Sequence, residues 1–155
     1  MIRLRAWLSG LWAGALLAVA LLAAPAAFTV LEREAAGTFA RRLFLLEANL
    51  SLALCIALFL IERRCARQSV RSGASASAVS TEMLLVLGAL FCTVAGYYAV
   101  QPLMEAARAG QGRFSFGALH AASSLAFAVK AMCVGVLAWR TAGAAPDVLS
   151  PRPSS

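Results

Sequence analysis

The chain has 155 residues, is 61% hydrophobic and only 14% charged, and carries a formal net charge of +7. One domain is the expectation at this length. A soluble fold of this size could not hide so much apolar surface, so the composition points to a bilayer as solvent. The positive charge does not argue for nucleic acid, because no zinc pattern or basic recognition helix accompanies it and the arginines sit between apolar runs.

The first apolar run, residues 6–31, holds no charged side chain until its end. It exceeds the roughly 20 residues a span requires. Its start, Met1–Arg5 followed by an apolar stretch reaching Ala24, Pro25 and Ala26, resembles a secretory signal. The stretch is longer than a signal core of about 7–15 residues, so an uncleaved first span is expected. Pro25 should kink this helix by removing a backbone bond, with Thr29 one turn later supplying a compensating hydroxyl. The second run is residues 43–61, broken only by Glu47; the third is 83–104; the fourth is 114–139, containing His120 and Lys130. Between them lie Glu32–Arg42, Glu62–Glu82 and Glu105–Arg113. Residues 141–155, rich in Ala, Pro and Ser, read as a disordered tail. Gly10, Gly14 and Ala18 on the first helix, and Gly88, Cys92 and Gly96 on the third, form small-residue rows suited to close helix approach. The expected fold is all-α, an integral membrane four-helix antiparallel bundle.

Four spans put both termini and the middle loop on one side. That side holds eight arginines (Arg3, Arg5, Arg63, Arg64, Arg67, Arg71, Arg140, Arg152) against five opposite (Arg33, Arg41, Arg42, Arg108, Arg113). The positive-inside rule makes the richer side cytoplasmic, with Trp7, Trp12 and Trp139 toward that interface and Tyr97 and Tyr98 toward the outer one.

Ionisable residues inside a span mark function by default. Helical rise places Glu47 and His120 near one depth, roughly 6–9 Å below the outer boundary. Pro25, Thr29, Tyr97, Tyr98 and Gln101 fall in the same layer, and Ser123 shares the His120 stripe. A Glu47–His120 hydrogen-bonded pair opening outward is the functional expectation; hydration of both at the interface is the plainer one. Lys130 lies nearer the cytoplasmic half and is expected to snorkel inward rather than pair with Glu62. Cys55, Cys92 and Cys133 read as apolar filler and Cys65 as cytoplasmic, with no disulfide. His120 is the single histidine and the one candidate metal ligand. Haem with two histidine ligands would need two chains, and haem or copper on His120 with a methionine such as Met104 is the weaker alternative.

Several short motifs resemble one family. They are Ala24-Pro25-Ala26-Ala27-Phe28, Ala36-Gly37, Leu43-Phe44, Gln101-Pro102-Leu103-Met104 and Phe116-x-x-Leu119-His120-x-x-Ser123. In order and spacing, over about residues 8–140, they resemble the domain-of-unknown-function 4149 proteins, bacterial relatives of the eukaryotic transmembrane protein 205-like family. Ala121 stands where that family usually has glycine after the histidine. The resemblance implies four-helix inner-membrane proteins without an assigned reaction, distantly similar to copper-resistance and haem-associated membrane domains. It singles out Pro25, Phe28, His120 and Ser123.

Two functional readings follow. One is a membrane protein binding an ion, metal or small ligand at the outer polar layer. The other is a structural subunit scaffolding a membrane complex, as a homo-oligomer or with another membrane protein. A membrane enzyme using His120 lacks a second catalytic group. N-terminal sequencing of the purified protein should find the first span intact; a chain starting near Ala26 would contradict this topology.

Overall fold

The structure is a computed structural model, and it describes residues 2–73 and 79–143. Four helices are long and apolar enough to cross a bilayer: α1 (Arg3–Val30), α2 (Arg33–Arg71), α3 (Thr81–Arg108) and α4 (Phe116–Gly143). Among the described residues there is no strand. Large apolar side chains such as Leu21, Leu22, Phe91, Leu125, Met132 and Trp139 lie exposed on the outside of the bundle. Water would penalise such a surface, and lipid does not.

The helices outrun the apolar stretches that define them. At 39 residues, α2 is about 58 Å long, so Arg33–Arg42 and Glu62–Arg71, read from the sequence as connections, continue its helix. Likewise Thr141–Gly143, assigned above to the tail, belong to α4. The remainder of the tail and residues 74–78 lie outside the described residues.

Local sequence sets the ends. The α1–α2 connection is only Leu31 and Glu32, with Leu31 extended. Ser80 caps α3 by accepting the Met83 N–H at 3.1 Å, and Ser115 caps α4 by accepting the Ala118 N–H at 3.2 Å. Gly110 ends α3 at φ +72, a left-handed conformation that favours glycine.

Both prolines inside spans follow a widened turn. Ala18–Ala23 forms a π segment before Pro25, and Val94–Ala99 forms another before Pro102. Proline has no N–H for the carbonyl four residues back, and its ring crowds that carbonyl. Those carbonyls belong to Leu21 and Tyr98, which sit within the two π segments, where the wider turn relieves the crowding. Thr29 does not compensate for Pro25, as its sequence position had suggested. Its hydroxyl donates to the Ala26 carbonyl at 2.8 Å, within its own turn.

The helices pack in a ring, α1–α2–α3–α4 and back to α1, and the diagonal helices make no close backbone contact among the described residues. The half of the bundle near the termini holds the large apolar core: Trp12, Leu16, Leu54, Leu58, Val86, Val134 and Leu137. Trp12 is 1% exposed. It is therefore a core residue, correcting its interfacial placement from sequence. Toward the far side most buried residues are small, including Ala27, Ala36, Ala40, Ala48 and Gly96, beside the larger Met104 and Leu119. Ion pairs close the termini side. Arg140 meets Glu82 at 2.9 Å, and the Arg5 Nε approaches Glu62 Oε1 at 3.1 Å, though without hydrogen-bond alignment. Buried Ser9 and Thr141 share a hydrogen bond of 2.8 Å between α1 and α4.

The two small-residue rows have opposite fates. A Cβ built on Gly96 would lie 2.5 Å from the Ala126 Cβ, and one on Gly88 would lie 3.5 Å from the Cys133 sulfur. That row is a true α3–α4 contact. Gly10 and Gly14 have nothing within 4 Å of such a Cβ, so the α1 row faces outward. Gly96→Ala should therefore cost about 1–3 kcal/mol through overpacking, while Gly10→Ala should be close to neutral. Unfolding in mixed micelles measures both, and equal effects would contradict the assignment of faces.

Candidate functional site

Glu47 and Lys130 meet across the bundle diagonal, α2 to α4. The Lys130 Nζ donates to both Glu47 oxygens at 2.8 Å. Both side chains are only 4% exposed. The pair replaces two expectations: the Glu47–His120 pair and the inward snorkelling of Lys130. Helix direction explains the second. Side chains lean toward the N-terminus of their helix, and the N-terminus of α4 is on the far side, so Lys130 leans away from the termini side. It lies ten residues before Arg140, about 15 Å along the helix, near the middle of a hydrocarbon layer about 30 Å thick.

The pair is satisfied from every direction. Ser51, one turn beyond Glu47, donates its hydroxyl to Glu47 Oε1. The Trp12 indole N–H on α1 donates to the Ser51 oxygen at 2.9 Å. The Lys130 ammonium also lies 4.7 Å from the centre of the Phe127 ring, a cation–π contact. Phe127 packs edge-on against Phe44 at 5.6 Å. Each of these two aromatics precedes its charged residue by three positions, so they cover the pair from the far side. The apolar core covers it from the termini side. A buried ion pair whose remaining polar atoms are all bonded holds the helices in one register.

The other residues singled out from the sequence do not gather at one site. His120 is exposed, stacked on Phe116 with ring centres 5.9 Å apart and planes 12° from parallel. The Arg108 guanidinium lies 4.6 Å over the other partner of that stack, Phe116. Ser123 donates to the Gly96 carbonyl at 2.8 Å and so belongs to the α3–α4 contact. Tyr98 donates to the Asn49 side chain at 2.8 Å on the outside of the bundle. Pro25 and Thr29 remain with α1, exposed.

Gln101 leads to a second site. It lines a groove of about 290 Å³ between α2 and α3, with Thr38, Arg41, Arg42, Leu45, Tyr97 and Glu105. The lining follows helical spacing: positions i, i+3, i+4 and i+7 on α2, and i, i+4 and i+8 on α3. Among the described residues, no ion pair or hydrogen bond engages the side chain of Arg41, Arg42, Gln101 or Glu105. The arginines and Glu105 had been read as loop charges, because the apolar runs stop short of them. Their spacing against Tyr97 and Gln101 was the signal.

The donors do not fit a closed metal centre. Among the described residues no three His, Cys, Asp or Glu side chains gather within reach of one ion.

The family model for a domain of unknown function, DUF4149, matches residues 7–113, more than half of the chain, and the chain belongs to that family. No curated protein and no solved structure matches it.

Removing one partner of the buried pair leaves an uncompensated charge. Glu47→Gln or Lys130→Met alone should cost about 3–5 kcal/mol, and the double variant should lose much less than the sum. Unfolding in micelles measures the cycle; additive losses would contradict the contact.

Proposed function

We propose that this member of the DUF4149 family acts as a single four-span domain of the bacterial inner membrane, with both termini cytoplasmic, and binds a small polar ligand in the outward-facing groove between α2 and α3. The arginine excess on the termini side supports the orientation. One observation carries the binding reading. The three carboxylates set deeper in the bundle, Glu47, Glu62 and Glu82, each have a cationic partner. Arg41, Arg42 and Glu105 line one groove and make no ion pair among the described residues. Complementary charges held apart in a shared groove suit a ligand that inserts between them.

The groove has moved the expected site. Of the polar layer expected at Glu47, His120, Ser123, Pro25, Thr29, Tyr97, Tyr98 and Gln101, the groove is lined by Gln101 and Tyr97. Glu47 serves the bundle, and the reading of the groove is of a binding site.

A second reading rests on α1. Gly10, Gly14 and Ala18 face outward beside exposed Trp7, and small residues on an open face let another membrane helix approach closely. This favours an interaction subunit, with a second copy or another membrane protein against α1. Cysteine placed at Gly14 should cross-link in membranes on that reading, and remain uncoupled on the first.

Mass spectrometry of the purified protein should find a retained small molecule that is lost in an Arg41→Gln, Arg42→Gln double variant and kept in His120→Ala. The reverse pattern would contradict the groove assignment.

A further inference from the structure

The order of groups along the groove points to the class of ligand, on the premise that the groove is a binding site at all. α2 and α3 run antiparallel, so residues at matching depth can be paired by helical rise. Glu105 and Thr38 stand at the mouth. One turn deeper, about 6 Å, stand Arg41, Arg42 and Gln101. Another turn deeper stand Tyr97 and Leu45. Below them the outside of the bundle is apolar, with exposed Leu46, Leu50 and Val94. From the water inward the groove thus offers an anion, then two cations with an amide, then a phenol, then hydrocarbon.

An aminophospholipid presents the complementary sequence: a primary ammonium, a phosphate two carbons beneath it, the glycerol esters, then acyl chains. We propose that the groove is a headgroup site for such a lipid. Arg41 and Arg42 hold the phosphate, for which the guanidinium fork is well matched. Gln101 and the Tyr97 hydroxyl donate to phosphate or ester oxygens. Glu105 accepts the ammonium at the mouth. The acyl chains run down the apolar face past Leu46 and Val94. The lipid source follows from placement, because the groove opens at the bilayer surface and continues into a lipid-facing wall. A headgroup without an ammonium leaves Glu105 without a cation. A trimethylated one presents a cation that cannot donate a hydrogen bond.

The test uses the full chain in detergent micelles, titrated with short-chain phosphatidylethanolamine, phosphatidylglycerol or phosphatidylcholine, and with soluble phosphoethanolamine, read by native mass spectrometry. Phosphatidylethanolamine should bind about tenfold more tightly than the other two lipids, the size of one charge-assisted hydrogen bond. Glu105→Gln should erase that preference by weakening phosphatidylethanolamine about tenfold. The Arg41→Gln, Arg42→Gln variant should weaken every lipid about tenfold or more. Both variants should keep the wild-type helical circular dichroism. Equal binding of the three lipids, or no effect of Glu105→Gln, overturns the headgroup assignment; the binding reading survives that result if the arginine variant still loses lipid. Soluble phosphoethanolamine binding as tightly as the lipid overturns the membrane source. An arginine variant that binds every ligand like the wild type overturns the headgroup site and the binding reading together.

Discussion

One ion pair at the middle of the bilayer organises this bundle. A charge in hydrocarbon is costly unless it is paired and hydrogen-bonded. Glu47 and Lys130 solve that for each other at 2.8 Å. They also do so across a diagonal, between two helices whose backbones do not otherwise touch closely. Slippage of α2 or α4 by one residue would separate the two groups and strand both. Ser51 and Trp12 extend the constraint to α1. In a medium that supplies little drive for helices to associate, a single satisfied polar network fixes register that apolar contacts between Leu and Val would leave loose.

The remainder of the bundle divides around that level. Toward the termini, large side chains fill the core and two ion pairs with a Ser–Thr bond close the end. Away from the termini, small residues bring α3 and α4 together at Gly96, where Ser123 reaches the exposed carbonyl. The π segments before Pro25 and Pro102 fall in α1 and α3. They let proline enter a span without ending it. The groove between α2 and α3 opens on this thinner-cored side. Phe44 and Phe127 pack beside the ion pair, and neither charge of that pair lines the groove.

The four spans were legible in the sequence because apolar length alone dictates them. Their helical ends were not, because arginine-bearing helix continues past the bilayer in α2 without any change of periodicity to announce it. That misplaced Glu47: measured from Leu43 it lies near an interface, and only the helix beginning at Arg33 and the partner on α4 put it mid-membrane. Lys130 was legible in principle. It is the single lysine, and Glu47 is the single carboxylate within an uncharged run, so pairing was the cheapest arrangement for both. The lean of α4 side chains toward its N-terminus decides between that and snorkelling. Gly10–Gly14 and Gly88–Gly96 show the limit of motif reading. The rows look alike in sequence, and the neighbours, which no spacing rule names, put one against α4 and the other toward the outside.

Because Lys130 is the single lysine, its side-chain nitrogen can be labelled uniquely. The most direct measurement is magnetisation transfer, by solid-state magnetic resonance in bilayers, from that nitrogen to the side-chain carboxyl carbon of labelled glutamate. The structure predicts strong one-step transfer, consistent with nitrogen–oxygen distances of 2.8 Å, and its loss in Glu47→Gln. Absence of transfer, or transfer that persists in Glu47→Gln, would contradict the diagonal pair and with it the account of how this bundle holds its register.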